Sequence, residues 1–146
     1  MNNTANNYWG QTIIIADTLE TLHYTIHAID TSYNHNNTII KNVTIHDNDK
    51  PEISNINDNP DPQGNGKHLN ISCTATDNIQ IDTVKINITN PENNTINTTM
   101  TNNGDQYYYN TTYTTIGTYH YSIWAIDTSG NSITSPFEQF LSLIHI

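Results

Sequence analysis

Residues 117–131 read GTYHYSIWAIDTSGN, and this stretch predicts the fold of the chain. From residue 119 to residue 125, Tyr, Tyr, Ile and Ala occupy alternate positions, so an extended segment would carry them on one face. The Ser129-Gly130-Asn131 sequence that follows is typical of a tight turn. The stretch therefore predicts a strand that packs one face on a core and then reverses direction in a hairpin.

A second copy of this stretch lies upstream. Residues 22–34 read LHYTIHAIDTSYN and match residues 119–131 at nine of thirteen positions, with a constant offset of 97 residues. An offset of this size is typical of a sandwich domain rather than of a short solenoid repeat. We therefore predict the C-terminal part of one domain in residues 1–49 and a complete, similar domain in residues 50–140. Because the upstream part would lack its first strands, we expect the chain to lie inside a longer protein.

The last six residues, LSLIHI, match the translation of a transposon end used in sequencing libraries. On this basis we predict that residues 141–146 are a non-native tail and that Phe140 is the last native residue. The alternative is a genuine apolar end of a strand.

The composition favours strands and excludes several classes of protein. The chain has 24 Asn, 23 Thr and 22 Ile, but only 5 Ala, 5 Leu, 4 Glu, 4 Lys and no Arg, so long helices are not expected. A net charge of −10 would repel nucleic acids. The longest strongly apolar run covers residues 13–16, which is far short of a membrane span of roughly 20 residues.

Alternating patterns between residues 51 and 140 predict about seven short strands. We expect Ile53 and Ile56 on the first strand, and we expect the final strand to run without a break from Ile133 to Phe140. Asn102-Asn103-Gly104-Asp105 predicts a hairpin turn of type I′. The inward sets of the strands between them are Leu69, Ile71, Cys73 and Ala75; Val84, Ile86 and Ile88; Ile96, Thr98 and Met100; Tyr107, Tyr109 and Tyr113; and Tyr119, Tyr121, Ile123 and Ala125.

Residues 117–131 resemble the F–G hairpin of bacterial and archaeal Ig-like, or fibronectin-III-like, surface repeats. Pro51-Glu52-Ile53, the break at Asp77-Asn78 and the Tyr107–Tyr113 strand fit the same pattern. The resemblance implies an all-β, Ig-like antiparallel sandwich and an extracellular or cell-surface location. In the upstream copy, Tyr33 stands where the pattern has Gly130, and residues 35–37 lengthen the hairpin, so the resemblance leaves the geometry of that turn open.

The resemblance also implies a function without catalysis, because such repeats carry no catalytic residues. We expect a spacer repeat of a secreted or surface-anchored protein, with neighbouring repeats of the same chain as its partners. The alternatives are an adhesin module that binds carbohydrate or protein, and an accessory domain of a secreted hydrolase. Exposed aromatic side chains would support the first alternative, and the candidates for stacking on a sugar are Tyr8, Trp9, Tyr108 and Trp124.

Four aspartates are candidate calcium ligands. Asp47 and Asp49 lie in an acidic linker, and Asp77 and Asp127 each lie at the end of a predicted strand. Calcium requires six to eight oxygen ligands, which such a junction can gather. The alternative is that these residues only form turns by bonding their own backbone. No other cofactor is expected.

Eight Asn-x-Ser/Thr sequences are present, against roughly five expected by chance from the composition. They begin at Asn2, Asn36, Asn42, Asn70, Asn87, Asn93, Asn97 and Asn110. The best candidates for glycosylation are Asn36, Asn93, Asn97 and Asn110. The seven histidines form no zinc motif, and Cys73 is expected to be a buried thiol.

Overall fold

The computed structural model describes residues 2–4, 8–15 and 18–144, with side chains from residue 8 onward. The described residues form strands and turns, which confirms the all-β prediction. Within the same residues, no helix has the length and apolarity needed to cross a bilayer. The chain divides into two compact units, Met1–His46 and Asp47–Ile146. The division falls after His46, whereas the sequence placed it after residue 49, so Asp47 belongs to the second unit.

The first unit is built from short antiparallel pairs. Strands β1 (Asn2–Thr4) and β2 (Tyr8–Gly10) pair with each other. Residues 22–43 form one interrupted hairpin, in which β3 (Leu22–Tyr24) pairs with β6 (Lys41–Val43) and β4 (His27–Ile29) pairs with β5 (His35–Asn37). Leu22 of this hairpin is partly buried, but its other apolar side chains are exposed; Tyr24 and Ile26, for example, each keep 41% of their surface accessible.

The second unit contains ten strands in two sheets. These are β7 (Glu52–Asn59), β8 (Gln63–Gly64), β9 (His68–Thr76), β10 (Ile81–Thr89), β11 (Thr95–Thr99), β12 (Thr101–Asn103), β13 (Gln106–Thr112), β14 (Gly117–Asp127), β15 (Ser132–Thr134) and β16 (Glu138–Leu143). The six-stranded sheet has the order β11-β10-β14-β16-β8, with β15 also paired to β14. The four-stranded sheet has the order β12-β13-β9-β7. All pairs are antiparallel except β8 with β16.

The core lies between the two sheets and follows the predicted inward faces. Leu69, Ile71, Cys73 and Ala75 on β9 face the buried side chains of β10 and β14 in one apolar cluster. Aromatic residues close one end of this core, where the rings of Tyr119 and Phe140 stack with their centroids 4.8 Å apart. The predicted two-layer arrangement of inward-facing strands is therefore the observed one.

The difference between seven predicted strands and ten observed strands comes from three interruptions. The short strand β8 lies in the stretch predicted as a turn-rich loop after the first strand, and it belongs to a different sheet from β7; β11 and β12 also belong to different sheets. Consequently Ile96, Thr98 and Met100 do not form one inward set: Met100 is buried where the chain crosses between sheets, and Ile96 is exposed. The predicted strand from Ile133 to Phe140 is also broken, because Pro136, which has no N–H to donate, separates β15 from β16.

Two local features explain patterns that the sequence left irregular. Ile53 and Ile56 both pack against the core, although they are three residues apart, because a bulge between Ser54 and Asn57 inserts one extra residue into β7. The predicted hairpin joins β12 to β13, but Gly104 is its only central residue with positive φ. It is therefore not a type I′ turn, and one positive φ at the first central position is typical of type II′.

Residues 141–143 of the predicted tail lie within β16. Ser142 is fully buried and pairs with Gly117 on one side and with Gln63 on the other. These contacts show that residues 141–143 extend the strand, but they do not test whether the tail is native.

The repeated hairpin has the same hydrogen bonds in both units. The N–H of Ile26 donates to Thr38 Oγ1 (2.9 Å) and Thr38 N–H donates to the carbonyl of Ile26 (2.9 Å). Ile123 and Ser135 form the same two bonds, at 2.9 and 2.8 Å. The repeat thus extends to residues 38 and 135, and the upstream hairpin is not lengthened as the sequence suggested.

Candidate functional site

Three of the four candidate calcium ligands come together at one end of the second unit. Asp127 is the last residue of β14, Asp77 follows the last residue of β9, and Asp47 begins the unit. One carboxylate oxygen from each residue lies within 4.8 Å of the other two. Asp127 is 2% exposed, and the other two side chains are partly buried. Asp49 does not join this group: it is exposed and only donates its N–H to Asp47 Oδ1 (3.1 Å).

Local hydrogen bonds fix each carboxylate. Asp127 Oδ1 accepts the N–H groups of Ser129 and Asn131, both at 2.8 Å, and its Oδ2 accepts the side-chain amide of Asn131 at 2.8 Å. Asp77 Oδ2 accepts the N–H groups of Ile79 and Gln80, both at 3.0 Å. This part of the arrangement is the turn chemistry that we expected as the alternative to calcium.

The turn hydrogen bonds leave two carboxylate oxygens unused. Asp47 Oδ2 and Asp77 Oδ1 are inaccessible to solvent and have no hydrogen-bond partner. Buried oxygens of this kind are unusual, since leaving one unsatisfied costs about 1–3 kcal/mol. Among the described residues, no cation pairs with any of the three carboxylates. The negative charge of the three carboxylates is therefore not compensated by a cation, and two of their oxygens remain available to a ligand.

The pKa of Asp127 reflects two opposing influences. Burial raises the pKa of this carboxyl, but the hydrogen bonds from Asn131, Ser129 and Gly130 outweigh burial and hold the pKa below its ordinary value. Asp127 is therefore ionised at neutral pH. In the first unit, Asp30 occupies the equivalent position, and its pKa is lowered mainly by the side-chain amide of Asn34.

Asparagine side chains complete the surroundings of the three aspartates, and the sequence did not single them out. Asn131 Nδ2 donates to the carbonyl of Asp47 (3.3 Å) as well as to Asp127, and Asn78 Nδ2 donates to Asp47 Oδ1 (3.3 Å). Asn131 recurs as Asn34 in the repeat, which was a signal for a role in the turn. The sequence marked Asn78 only as part of the strand break at Asp77-Asn78, not as a neighbour of the three aspartates.

The four glycosylation candidates have exposed side chains. Asn36, Asn97 and Asn110 lie on β5, β11 and β13, and Asn93 lies in the turn between β10 and β11. Each can project a glycan into solvent.

The candidate aromatic residues are not brought together. Tyr108 is 39% exposed on the four-stranded sheet, and Trp124 is partly buried on the six-stranded sheet. Tyr8 and Trp9 are exposed on β2 of the first unit. A single sugar platform built from all of them is therefore not present in either unit.

Cys73 and two of the described histidines lie in well-defined surroundings. Cys73 is fully buried in the core, and burial raises the pKa of its thiol to about 11. His27 and His35 contact each other in the first unit, with Nδ1 of His35 3.2 Å from Nε2 of His27. Within the described residues, the three aspartates are the group of His, Cys, Asp and Glu side chains that is close enough to hold a metal ion.

No protein-family model matches the sequence, and no curated protein matches it. Solved structures that are similar to parts of the chain include the following two. The Br derivative of BhCBM56 has a TM-score of 0.44 and 15% identity, over 62% of this chain and 88% of that protein. Chitinase ChiW from Paenibacillus sp. str. FPU-7, described as a bacterial cell-surface-expressed multi-modular enzyme machinery, has a TM-score of 0.46 and 14% identity. That match covers 68% of this chain but only 9% of the chitinase. Likeness at this level assigns no function, and membership of the Ig-like surface repeats stays a prediction.

Proposed function

We propose that this chain is a non-catalytic structural part of an extracellular protein, in which sandwich units follow one another as spacers. The observation that carries the proposal is the repeated hairpin. Residues 26–38 and 123–135 form the same backbone bonds and the same hydroxyl-to-backbone bond, in two separate units. A protein that repeats one structural unit along its length is suited to spanning distance.

The chemistry of the second unit supports a role without catalysis. Its only thiol is fully buried, and its raised pKa keeps it protonated at neutral pH. A nucleophile would instead need a lowered pKa or a neighbouring base. The outer faces carry many uncharged Asn and Thr side chains, which hydrate well and suit a surface exposed to an aqueous exterior.

On the alternative that residues 141–143 are a genuine strand end rather than part of the predicted tail, the pairing at the end of the second unit supports a load-bearing role. Gln63 and Gly64 on β8 pair in parallel with Ser142 and Leu143 on β16, and Asn65 N–H donates to the carbonyl of Leu143 (2.6 Å). Because β8 lies near the beginning of the unit and β16 lies at its end, pulling on the two ends slides these strands along each other. Several hydrogen bonds then have to break together rather than one after another.

Single-molecule pulling on the whole chain tests this proposal. We expect one discrete unfolding event that adds roughly 30 nm, the extended length of the residues from Glu52 to Leu143 at about 0.33–0.36 nm each. A chain shortened after Phe140 lacks the parallel pairing and should unfold at a lower force. Gradual extension without a discrete event would contradict the load-bearing role.

We further propose that the three aspartates bind a calcium ion, which stabilises the second unit. The specific observation in favour is the pair of buried carboxylate oxygens without partners, Asp47 Oδ2 and Asp77 Oδ1. Two oxygens bound to one calcium ion at about 2.4 Å lie at most about 4.8 Å apart, and the three carboxylates satisfy this limit. A bound cation would also remove the mutual repulsion of the three negative charges.

Thermal unfolding in calcium and in chelator tests this site. At a calcium concentration about 100 times Kd, stability should rise by about 2.7 kcal/mol, which corresponds to a Tm increase of roughly 10–20 °C. Asp127→Asn should abolish the increase, and Asn90 shows that asparagine supports the same kind of turn, with its Oδ1 accepting the N–H groups of Glu92 and Asn94.

Asp30→Asn is the matched control, because Asp30 forms the equivalent turn in the first unit but lies outside the cluster. It should leave the calcium response intact. An unchanged Tm of the parent protein in excess calcium would rule the site out.

Glycosylation at Asn36, Asn93, Asn97 and Asn110 is proposed on their exposure alone. Intact-mass measurement of the protein from its native source, with each asparagine replaced by Gln in turn, would test each position. A mass equal to that of the bare polypeptide would exclude all four.

A further inference from the structure

The outer face of the six-stranded sheet contains a polar groove beside Trp124. The groove has a volume of about 390 Å³. The side chains that line it are Lys85, Asn87, Asn97, Ser122, Trp124 and Thr134. The groove is shallow and open to solvent. The lining belongs entirely to the second unit.

Strand register produces the groove. Asn97, Asn87 and Ser122 are direct cross-strand neighbours in one row, and Lys85, Trp124 and Thr134 form the next row. Ser122 is small and 5% exposed, so its row is low beside the large indole of Trp124. Residues 135–137 separate β15 from β16 along the same edge of β14. Ser122 therefore pairs with no residue of either strand.

The lining combines an aromatic face with unused hydrogen-bonding groups. The side-chain amides of Asn87 and Asn97 form no hydrogen bond with another described residue, so both their donors and their acceptors are available. The ammonium of Lys85 lies 5.9 Å from the centre of the Trp124 ring and adds further donors. No carboxylate lines the groove.

We infer that this groove binds a neutral oligosaccharide. A sugar ring has an apolar face of C–H groups, which matches the indole, and an edge of hydroxyl groups, which matches the paired donors and acceptors of the amides. A polyanionic saccharide is disfavoured, because the chain carries a net charge of −10 and the groove offers one lysine. The inference goes beyond the structural role proposed above and does not depend on it.

The first unit supplies an internal comparison for this site. The position equivalent to Trp124 is His27, and that of Thr134 is Asn37, at the offset of 97 residues. His27 and Asn37 bond to each other across their strands, which consumes the polar groups there. The groove is therefore a property of the second unit, and Trp124→His introduces the side chain found in the first unit.

Tryptophan fluorescence provides the test, on the full chain made in a host that adds no glycan to Asn97. The chain has two tryptophans, so Trp9→Phe leaves Trp124 as the only reporter. We expect at least one neutral hexasaccharide from a panel of laminarihexaose, cellohexaose, chitohexaose, xylohexaose and mannohexaose to change its emission in a saturable way.

Calorimetric titration on variants then locates the binding. Trp124→Ala and Trp124→His should each weaken binding at least 10-fold, and Asn87→Ala should weaken it about 3- to 10-fold. Tyr108→Ala removes an exposed aromatic residue from the other sheet and should leave the affinity unchanged.

Three outcomes would overturn the inference. They are no response to any neutral hexasaccharide in the panel, a response only to hexagalacturonic acid, and an equal loss of affinity in Tyr108→Ala and Trp124→Ala. Each is distinguishable from failure of the structural proposal, because the pulling experiment contains no saccharide.

Discussion

Tyr121 joins the two sheets of the second unit through one hydrogen bond. Its hydroxyl, on β14 of the six-stranded sheet, donates to Asp58 Oδ2 on β7 of the four-stranded sheet at 2.7 Å. Burial raises the pKa of Tyr121, and the bond to Asp58 raises it further, so the hydroxyl remains protonated and able to donate. Tyr119 has a different partner and donates to the carbonyl of Thr115 at 3.0 Å.

Tyr121→Phe should lower the free energy of unfolding by about 1.5–3 kcal/mol, since it removes a hydrogen bond to a carboxylate from a side chain that is 1% exposed. Urea unfolding measures the loss. Tyr108→Phe is the control, because that hydroxyl lies on an exposed ring and its removal should change stability by less than about 0.5 kcal/mol. An equal loss of stability in both variants would mean that the hydrogen bond from Tyr121 to Asp58 contributes no more than an exposed hydroxyl.

Ionisation of Cys73 makes the free energy of unfolding depend on pH in the alkaline range. Its pKa rises from an ordinary value of 9.0 in the unfolded chain to about 11 in the folded protein. Above pH 9 the unfolded chain therefore binds fewer protons than the folded protein, and the free energy of unfolding falls as the pH rises toward 11. Below pH 9 this contribution is constant.

Urea unfolding from pH 7 to pH 10.5 should show the decrease, and Cys73→Ala should remove the part that begins near pH 9. The buried Tyr113 and Tyr121, whose pKa values are also raised, keep a decrease at higher pH in both proteins. Identical pH profiles for the parent and for Cys73→Ala would contradict the assignment.

Five-residue turns recur at the ends of strands. In each, the first residue is Asp or Asn, its Oδ1 accepts two backbone N–H groups, and the fourth residue has positive φ. The turns cover residues 30–34, 90–94 and 127–131. The fourth residue is Tyr33, Asn93 or Gly130, so the side-chain acceptor dictates the turn even where a tyrosine has to adopt φ 64°.

Gly117 is fixed by its surroundings at the start of β14. It has φ 130°, and a Cβ atom there would lie 2.9 Å from Pro91 Cγ. Gly117→Ala should therefore cost about 2–4 kcal/mol, from backbone strain and overlap together. Gly66→Ala is the matched change, because Gly66 also has positive φ but has nothing within 4 Å of its Cβ position, and it should cost about 1 kcal/mol. Chemical denaturation compares them, and equal losses would contradict the overlap with Pro91.

The sequence predicted the strands best where one face is fully buried. Alternation on β9, β10 and β14 is regular because each strand packs one face between the sheets, and the β10–β14 pair keeps its register from Thr83 onward, after one shift between Ile81 and Thr83. Alternation could not reveal where a strand leaves one sheet for the other, as between β11 and β12, because the extended backbone continues through the crossing. The bulge in β7 left a trace in the spacing of Ile53 and Ile56, but its position depends on pairing with β9.

The candidate cation site was predictable only in part. Asp77 and Asp127 were recognisable because each ends a strand, and Asp47 because it lies in an acidic linker. Which aspartate of the linker would join them depended on the path of the chain before β7. Asp47 rather than Asp49 carries a buried oxygen without a partner, which no local pattern encodes. The polar groove was also hidden, because its rows combine two strand pairs, β10 with β11 and β14 with β15, that are distant from each other in sequence.

The two units should differ greatly in protection from hydrogen exchange. In the second unit, Tyr121 and Ile123 are 1% and 0% exposed, whereas the equivalent Tyr24 and Ile26 are each 41% exposed. A unit that buries so little apolar surface opens readily. We expect amides of β9, β10 and β14 to exchange slowest, at rates set by global unfolding, and amides of residues 22–43 to exchange far faster. Mass spectrometry of peptides after exchange measures both, and comparable protection of the two hairpins would contradict this expectation.

The position of Asp47 has a consequence for how such units are exchanged between genes. A recombination event that moved the second unit as a block starting at Pro51 would carry the whole sandwich but leave one of its three clustered acids behind. A block starting at Asp47 would bring all three to the new host. Gene fusions that preserve the cluster should therefore have their junctions before Asp47, in the segment that precedes β7.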